Sequence, residues 1–316
     1  MEQNPSCPAC RGTDWEPFAE RTYRAADVPK LPRSKQLLVS TLFKVWRPDA
    51  ERVDLTLEGC RRCGMMIYAP RPTEADIAAK YAYLNASLED ATPSRGEDPA
   101  RTRQRADRLF ALVKPHLSKP VDQLRVLDFG GGDGRLMRRF IDGGAACELV
   151  DYTNRPVPGV TKIGDDQVAL TPSHGYDVIV CSHVLEHLAA PADVLSRLRG
   201  HLADDGVLYV EVPMEVYGGL PIKTDPVTHV NFFTPDSLRT LLGTSGFGVR
   251  SSRLGYYPHP HGGWKLSVGA VAGASGAAAR EGGRGMRELK RLIRPSLPTK
   301  LGIKAVKLRD KVRFRA

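Results

Sequence analysis

An α/β fold on a mostly parallel sheet, with a small cysteine-bearing module in front and a basic helical tail behind, is what this 316-residue sequence predicts. Three observations lead there. From Arg125 onward, short apolar runs alternate with helical stretches, the pattern of a parallel sheet covered on both faces. Four of the six cysteines fall in two close pairs, "CPAC" and "CRRCG". From Gly285 to Ala316, eleven Lys or Arg stand against Glu288 and Asp310, which is +9 of the chain's net +10. The body is therefore nearly neutral, and any anionic partner suggested by the basic balance concerns the tail alone.

At 41% hydrophobic and 26% charged residues, the chain has the composition of a globular protein with a sizeable core. No apolar run approaches the roughly 20 residues of a membrane span. The start, "MEQNPSCPAC", lacks a charged-then-apolar export signal, so the cytoplasm is the expected compartment.

The front module spans residues 1–84. Cys7 and Cys10 form one pair, Cys60 and Cys63 the other. A two-residue gap lets both thiolates of a pair face one ion, and two pairs complete a tetrahedral four-sulfur shell for zinc. Gly12 and Gly64 follow the pairs, where a knuckle needs a permissive backbone. Unpaired thiols or disulfides are the alternative, and disulfides are disfavoured in a cytoplasmic chain. A closed four-sulfur shell leaves no open position, so this zinc is expected to hold structure. Cys147 and Cys181 sit in apolar strand contexts and read as core residues.

Next in order, "MMIYAPRPTEADIAAKY" reads as a strand, a Pro-marked turn and a helix capped by Thr73. Residues 85–104 are polar and Pro-punctuated, a linker or lid. A helix follows from about Asp107 to Leu117, with Leu109, Phe110, Leu112 and Val113 on its apolar side. Within the main domain, taken as 105–271, the strands are "RVLDF", "CELVDY", "YDVIVC", "GVLYVEVP", "FGVRSSRL" and "WKLSVGAV". A Gly/Ala-rich connection, 272–285, leads to the tail, 286–316. There Leu301, Ala305, Leu308 and Val312 form one helical stripe beside Lys300, Lys304, Lys307 and Lys311. Such a helix suits an anionic membrane surface or its own domain.

"VLDFGGGDGRL", residues 126–136, is a strand running into a Gly-rich turn and a helix. Gly130, Gly132 and Gly134 let the backbone approach a ligand beyond the strand's carboxyl end. Dinucleotide enzymes share such loops, but Asp128 before the glycines would repel a pyrophosphate and attract a cationic amino acid. Asp151 ends the next strand, where a carboxylate accepts from ribose hydroxyls. Asp165 follows a further short segment, as an acceptor for an adenine amino group or as a plain turn residue. Three acids so placed suit S-adenosylmethionine better than a nicotinamide cofactor.

Over residues 105 to 270 the chain resembles the class I S-adenosylmethionine-dependent methyltransferases, which have a Rossmann-like sheet. "LDFGGGDG" matches their acid-x-Gly-x-Gly-x-Gly signature, "YDVIVCSHVLEHL" their fourth strand and turn, and "HVNFFTPDSLRTLLGTSGF" the segment before their sixth strand. The front segment is similar to zinc ribbons fused to such enzymes in bacterial polysaccharide and natural-product clusters. The resemblance implies that Asp128, Gly130 and Gly132 contact the methionine part of the donor. It implies ribose binding by Asp151, adenine binding by Asp165, and Ser182 or His183 facing the methyl group.

"SHVLEHL" raises the question of chemistry. His183, Glu186 and His187 lie within one turn just after a strand, and His229 in "THVNFF" follows the fifth strand. His229, His183 and His187 are the candidate catalytic residues, since a neutral imidazole suits proton abstraction from a hydroxyl. Glu186, His187 and His229 resemble the divalent-metal pattern of small-RNA 2′-O-methyltransferases and, more loosely, ubiquinone-pathway O-methyltransferases. Hydrogen bonding of the turn alone is the bland alternative.

The expected activity is O-methylation of a sugar, lipid-linked glycan or related metabolite. Sugar C-methylation is a variant, although the relatives that perform it carry Glu-His where this chain has Thr228-His229. RNA is a less favoured partner, because only Phe314 lies among the basic residues of the tail. A peripheral position at the inner face of the membrane is the expectation the tail adds.

Overall fold

The computed structural model describes residues 1, 5–88, 98–152, 155–166, 170, 175–223, 225–259, 262–274 and 284–314. The front module contributes β1 (Trp15–Arg24), α1 (Arg33–Thr41), β2 (Arg52–Cys60), β3 (Met66–Ala69) and α2 (Glu74–Leu88). After α3 (Pro99–Val113), the body runs β4 (Arg125–Phe129), α4 (Arg138–Asp142), β5 (Ala146–Val150), β6 (Val160–Gly164) and β7 (Tyr176–Ser182). It continues with α5 (Pro191–Arg199), β8 (Leu202–Pro213), β9 (Asn231–Phe232), α6 (Pro235–Thr244), β10 (Gly248–Pro258) and β11 (Trp264–Gly273). Two helices close the chain, α7 (Gly285–Ile293) and α8 (Leu297–Arg313).

The main sheet has the order β10-β11-β8-β7-β4-β5-β6. From β8 to β6 its strands are parallel, and β11 is antiparallel to both β8 and β10. Every residue of β7 is buried, which is why its sequence is a continuous apolar run and not an alternating one. On the flanks, α5 buries Val194, Leu195 and Leu198, and α6 buries Leu238, Leu241 and Leu242. Thr234 and Ser237 start α6 with a reciprocal capping pair, each side chain accepting from the other's backbone N–H. All six strands read from the sequence are present, and β6 adds one its mixed polarity concealed.

A second sheet, β1-β2-β3-β9, is antiparallel throughout. Its fourth strand comes from the body, so the front module and the body share one hydrogen-bonded ladder. Arg71, 3% exposed, reinforces that join. Its guanidinium donates to the carbonyls of Val230 (3.0 Å), Leu188 (3.2 Å) and Ala189 (2.7 Å) and to Asn231 Oδ1 (2.7 Å). Asn231 in turn donates to the Leu185 and Leu188 carbonyls.

Two expectations need correction. The stretch 85–104 is not a linker at its described ends. Helix α2 runs to Leu88, and α3 begins at Pro99, eight residues before the predicted Asp107. Asp98 caps α3 by accepting from the Ala100 N–H, and Pro99 suits the first turn. The first two turns of α3 were hidden because they carry Arg101, Arg103 and Arg105 and give no apolar stripe; Arg105 lies over the Tyr257 ring. Pro115 ends the helix early, before the predicted Leu117. Residues 89–97 lie outside the described residues.

The tail docks on the body, one of the settings expected for it, and the connection before it is the second expectation to change. Met286, Leu289 and Leu292 of α7 are buried in the core that holds β2. Lys290 pairs with Glu16 at 2.8 Å, and α8 lies along β10. Of the predicted 272–285 connection, Ala272 and Gly273 are strand, and 275–283 lie outside the described residues.

Candidate active site

The four front cysteines converge. Cys7 Sγ lies 3.5 Å from Cys63 Sγ, Cys10 Sγ 3.4 Å from Cys60 Sγ, and all four sulfurs fall within 4.8 Å of one another. Zinc–sulfur bonds of about 2.3 Å set tetrahedral sulfurs roughly 3.8 Å apart, so the cluster fits one ion with little movement. Each cysteine is 5% exposed or less. The antiparallel β1–β2 pairing, with Trp15 opposite Cys60, brings the two ends of the long interval between the pairs together. Cys147 and Cys181 are buried in β5 and β7, as core residues.

The Gly-rich turn follows β4. Gly130, Gly132 and Gly134 have φ of 69°, 64° and 81°, a left-handed conformation that a side chain would strain. At Gly130 a Cβ would also sit 2.6 Å from Val184. Asp128, at the end of β4, is fully buried, and neither carboxylate oxygen has a hydrogen-bond partner among the described residues. Burial, and then the Asp151 charge, push its acid up to about 7. A buried carboxyl so placed fits a cationic group of a ligand. The Asp151 carboxylate accepts from the Gly132 N–H at 2.9 Å, which pins the turn to the end of β5.

A cavity of about 590 Å³ opens above this turn. Gly130, Asp151, Asp165 and His183 line it, as do His187 and Tyr152. Tyr81 of α2 stacks near Tyr152, with centroids 6.0 Å apart, so the front module supplies part of the wall. Asp128 and Gly132 are not among the cavity's lining residues. Asp165 is exposed and paired with Lys162. Ser182 is not on the wall: it is buried at the end of β7, where alternation of the pleat turns its neighbour His183 outward instead.

The histidines gather at the cavity's inner edge. His183 adopts φ 60°, unusual for a residue with a Cβ, and packs edge-on against Tyr257 at 4.7 Å. His187 Nδ1 donates to the Thr228 carbonyl at 2.7 Å, and burial holds its pKa below the ordinary imidazole range. His229 Nδ1 lies 2.7 Å from Glu215 Oε2. Burial opposes a charge on His229, yet the Glu215 carboxylate outweighs it and raises its pKa. The two rings lie 4.9 Å apart. Glu186 is 1% exposed, and its carboxylate lies 3.3 Å from His183 Nδ1 and 3.7 Å from His187 Nε2. Burial favours the neutral acid, but His183, His187 and His229 together hold Glu186 below its ordinary value.

Ligand atoms of Glu186, His187 and His229 all lie within 4.8 Å of one another, whereas His183 stands outside that group. On the far side of His229 a second cavity of about 530 Å³ is lined by Glu215, Tyr217, Tyr257, His259 and Lys265. The His187–His229 pair therefore stands between two chambers. Sequence reasoning missed Glu215, Tyr257, Tyr81 and Arg71. None belongs to a local pattern, although "PMEVYG" directly after a strand's carboxyl end offered a signal for Glu215.

Residues 101–252 match a family profile described as a methyltransferase domain. The chain is 31% identical over 127 residues to the tRNA U34 carboxymethyltransferase of Shewanella oneidensis, covering 35% of this chain and 37% of that one. It is 29% identical over 177 residues to the ubiquinone biosynthesis O-methyltransferase of Roseobacter denitrificans, covering 47% and 70%. The chain thus spans little more than a third of the Shewanella relative's length. The 1,6-didemethyltoxoflavin-N1-methyltransferase of Burkholderia thailandensis superposes with a TM-score of 0.49 at 21% identity, covering 66% of this chain and 95% of that one. The part of the chain that matches the methyltransferase-domain profile, residues 101–252, lies on a Rossmann-like, mostly parallel sheet. Among the described residues no helix is long and apolar enough to cross a membrane.

Proposed function

We propose that the chain methylates a hydroxyl group of a sugar, lipid-linked glycan or related metabolite. The observation that carries this reading is the His229–Glu215 pair at the wall between the two chambers. Bound S-adenosylmethionine supplies an electrophilic methyl group. Asp128 answers the ammonium of its methionine part, Gly130 and Gly132 give its backbone close approach, and Asp151 accepts from the ribose hydroxyls. Asp165 takes the adenine amino group, with Tyr81 and Tyr152 flanking the same chamber. His229 removes the acceptor's proton on Nε2, while Glu215 holds Nδ1 and stabilises the imidazolium that forms. The acceptor occupies the second chamber, which Tyr217 lines beside Glu215 and Lys265, two residues that offer polar groups.

A second reading follows from the Glu186 carboxylate, buried beside His183 and His187. Glu186, His187 and His229 make a two-histidine, one-carboxylate donor set, and both histidines have Nδ1 held by an acceptor, as metal-binding histidines do. A divalent ion there would lower the pKa of an acceptor hydroxyl. Polysaccharide biosynthesis is the setting we infer from the front module, and RNA is the competing acceptor. Donor turnover measured against sugar nucleotides, lipid-linked glycans and RNA tests the proposal. Turnover with RNA alone overturns it.

Donor binding carries its own signature. An ammonium prefers ionised Asp128, whose acid titrates at about 7 before the donor arrives. Below that pH a proton must leave first, so donor affinity is expected to fall about tenfold per unit on the acid side and level off above. Asp151→Ala is expected to weaken binding by about 1.5–3 kcal/mol, roughly ten- to a hundredfold. Because Asp151 also raises the Asp128 acid, the same change should move the pH dependence downward. Calorimetry across this range reads both effects. Wild-type affinity in the variant, or a flat profile in the parent, removes the respective residue from the donor site.

A further inference from the structure

Helix α8 meets the body with one face and leaves a different one bare. Its buried residues are Ile303 and Asp310, with Phe314 just beyond its end. Asp310 is 1% exposed and accepts from the Tyr256 N–H at 2.8 Å, fixing the helix to β10. Leu297, Leu301, Leu308 and Val312 are 69%, 56%, 66% and 65% exposed. Spacings of four, seven and four turn through only about 60° on an α-helix, so these four make one row. Among the described residues only two other large hydrophobics, Tyr152 and Ile222, are comparably exposed. Scattered exposure needs no explanation, but a continuous row does.

The sequence alone allowed this stripe to be the docking face. The opposite holds: the helix docks through an aspartate, an isoleucine and a phenylalanine and turns its leucines to solvent. Lys300, Lys304 and Lys311 border the row on one side, and Lys307 shares that side while lying over the Tyr256 ring at 5.3 Å. Asp310 is the helix's one carboxylate, and it is buried, so the exposed face is uniformly basic and apolar.

We propose that this face of α8 seats on an anionic lipid surface. Leucines entering the headgroup–acyl boundary, with lysines against lipid phosphates, use both halves of the face. A nucleic-acid backbone would engage the lysines and leave the leucine row in water. The proposal stands apart from the acceptor reading, and its test does not depend on turnover.

Sedimentation of the full chain with vesicles supplies that test. The protein is expected to pellet with phosphatidylcholine vesicles containing about a third phosphatidylglycerol, to stay in solution with pure phosphatidylcholine, and to be released by high salt. Lys300→Glu with Lys304→Glu and Lys311→Glu should reduce binding about a hundredfold or more, at roughly fivefold per lysine even before reversal. Leu301→Gln with Leu308→Gln and Val312→Gln should reduce it at least about tenfold. All six positions lie outside the protein core, so unchanged melting and donor affinity are the controls. If a triple variant melts early, single Leu301→Gln and Leu308→Gln changes carry the comparison. Failure of the parent to pellet overturns the proposal, as does full pelleting of the leucine variant. Binding of homopolymeric RNA by the parent and the leucine variant, with no vesicle binding, would assign the lysines to nucleic acid.

Discussion

Cys60→Ser protein is expected to lose its zinc and, with it, the order of the front sheet. The four sulfurs are already gathered within 4.8 Å and shielded from solvent. Zinc bound by such a set contributes on the order of 10–16 kcal/mol to folding in small domains, comparable to the whole stability of an ordinary domain, about 5–15 kcal/mol. The effect should not stay local. Cys7, Cys10, Cys60 and Cys63 belong to the same core as Leu238, Leu241 and Leu242 of α6, and Thr244 donates to the Ala9 carbonyl at 2.7 Å. β3 pairs with β9, two residues after His229, so a collapsed front sheet would release the histidine as well. Elemental analysis should find about one zinc per parent chain, little in the variant, and a much lower melting temperature. Cys147→Ser, far from the sulfur cluster in β5, should retain zinc. Equal zinc content and equal melting in parent and Cys60→Ser protein would dismiss the assignment.

His229→Ala should cost about 10²- to 10⁴-fold in turnover, the usual worth of a positioned general base. Donor affinity should hold, because His229 lines the second chamber and not the donor chamber. Glu215→Gln, which keeps the shape but removes the charge beside Nδ1, should produce a smaller loss. His187→Ala separates the two chemistries. If His229 acts as a base, that variant retains most turnover and chelator changes nothing. A divalent ion at Glu186, His187 and His229 instead predicts large losses in both variants and a chelator-sensitive parent. Undiminished turnover in both variants would reduce the cluster to architecture, with Glu186 merely buried under the turn.

Much of this protein was legible in its residues because the signals are local. Paired cysteines two residues apart, a Gly-rich turn after an apolar run and an acid at the next strand's end each act over a few positions. Their neighbours in sequence are their neighbours in space. The strands of the main sheet were readable for the same reason, since burial on both faces demands unbroken apolar runs. The first two turns of helix α3 escaped because Arg101, Arg103 and Arg105 give no periodic stripe, and its start lies in a stretch dense with turn residues.

Tertiary structure decided the rest, and the physical reason is distance along the chain. Arg71 binds Asn231 across 160 positions, and this one guanidinium ties the turn after β7 to the segment after His229. Tyr81 reaches the cavity above the Gly-rich turn from a helix of the front module, and Tyr257 reaches the second cavity from β10. That His183 faces the cavity while Ser182 does not depends on pleat register at the end of β7, which a one-residue shift would reverse. Amphipathicity fixed that α8 has an apolar row, but which face docks was settled by partners elsewhere. Asp310 found the Tyr256 N–H, and that bond turned the leucines toward solvent.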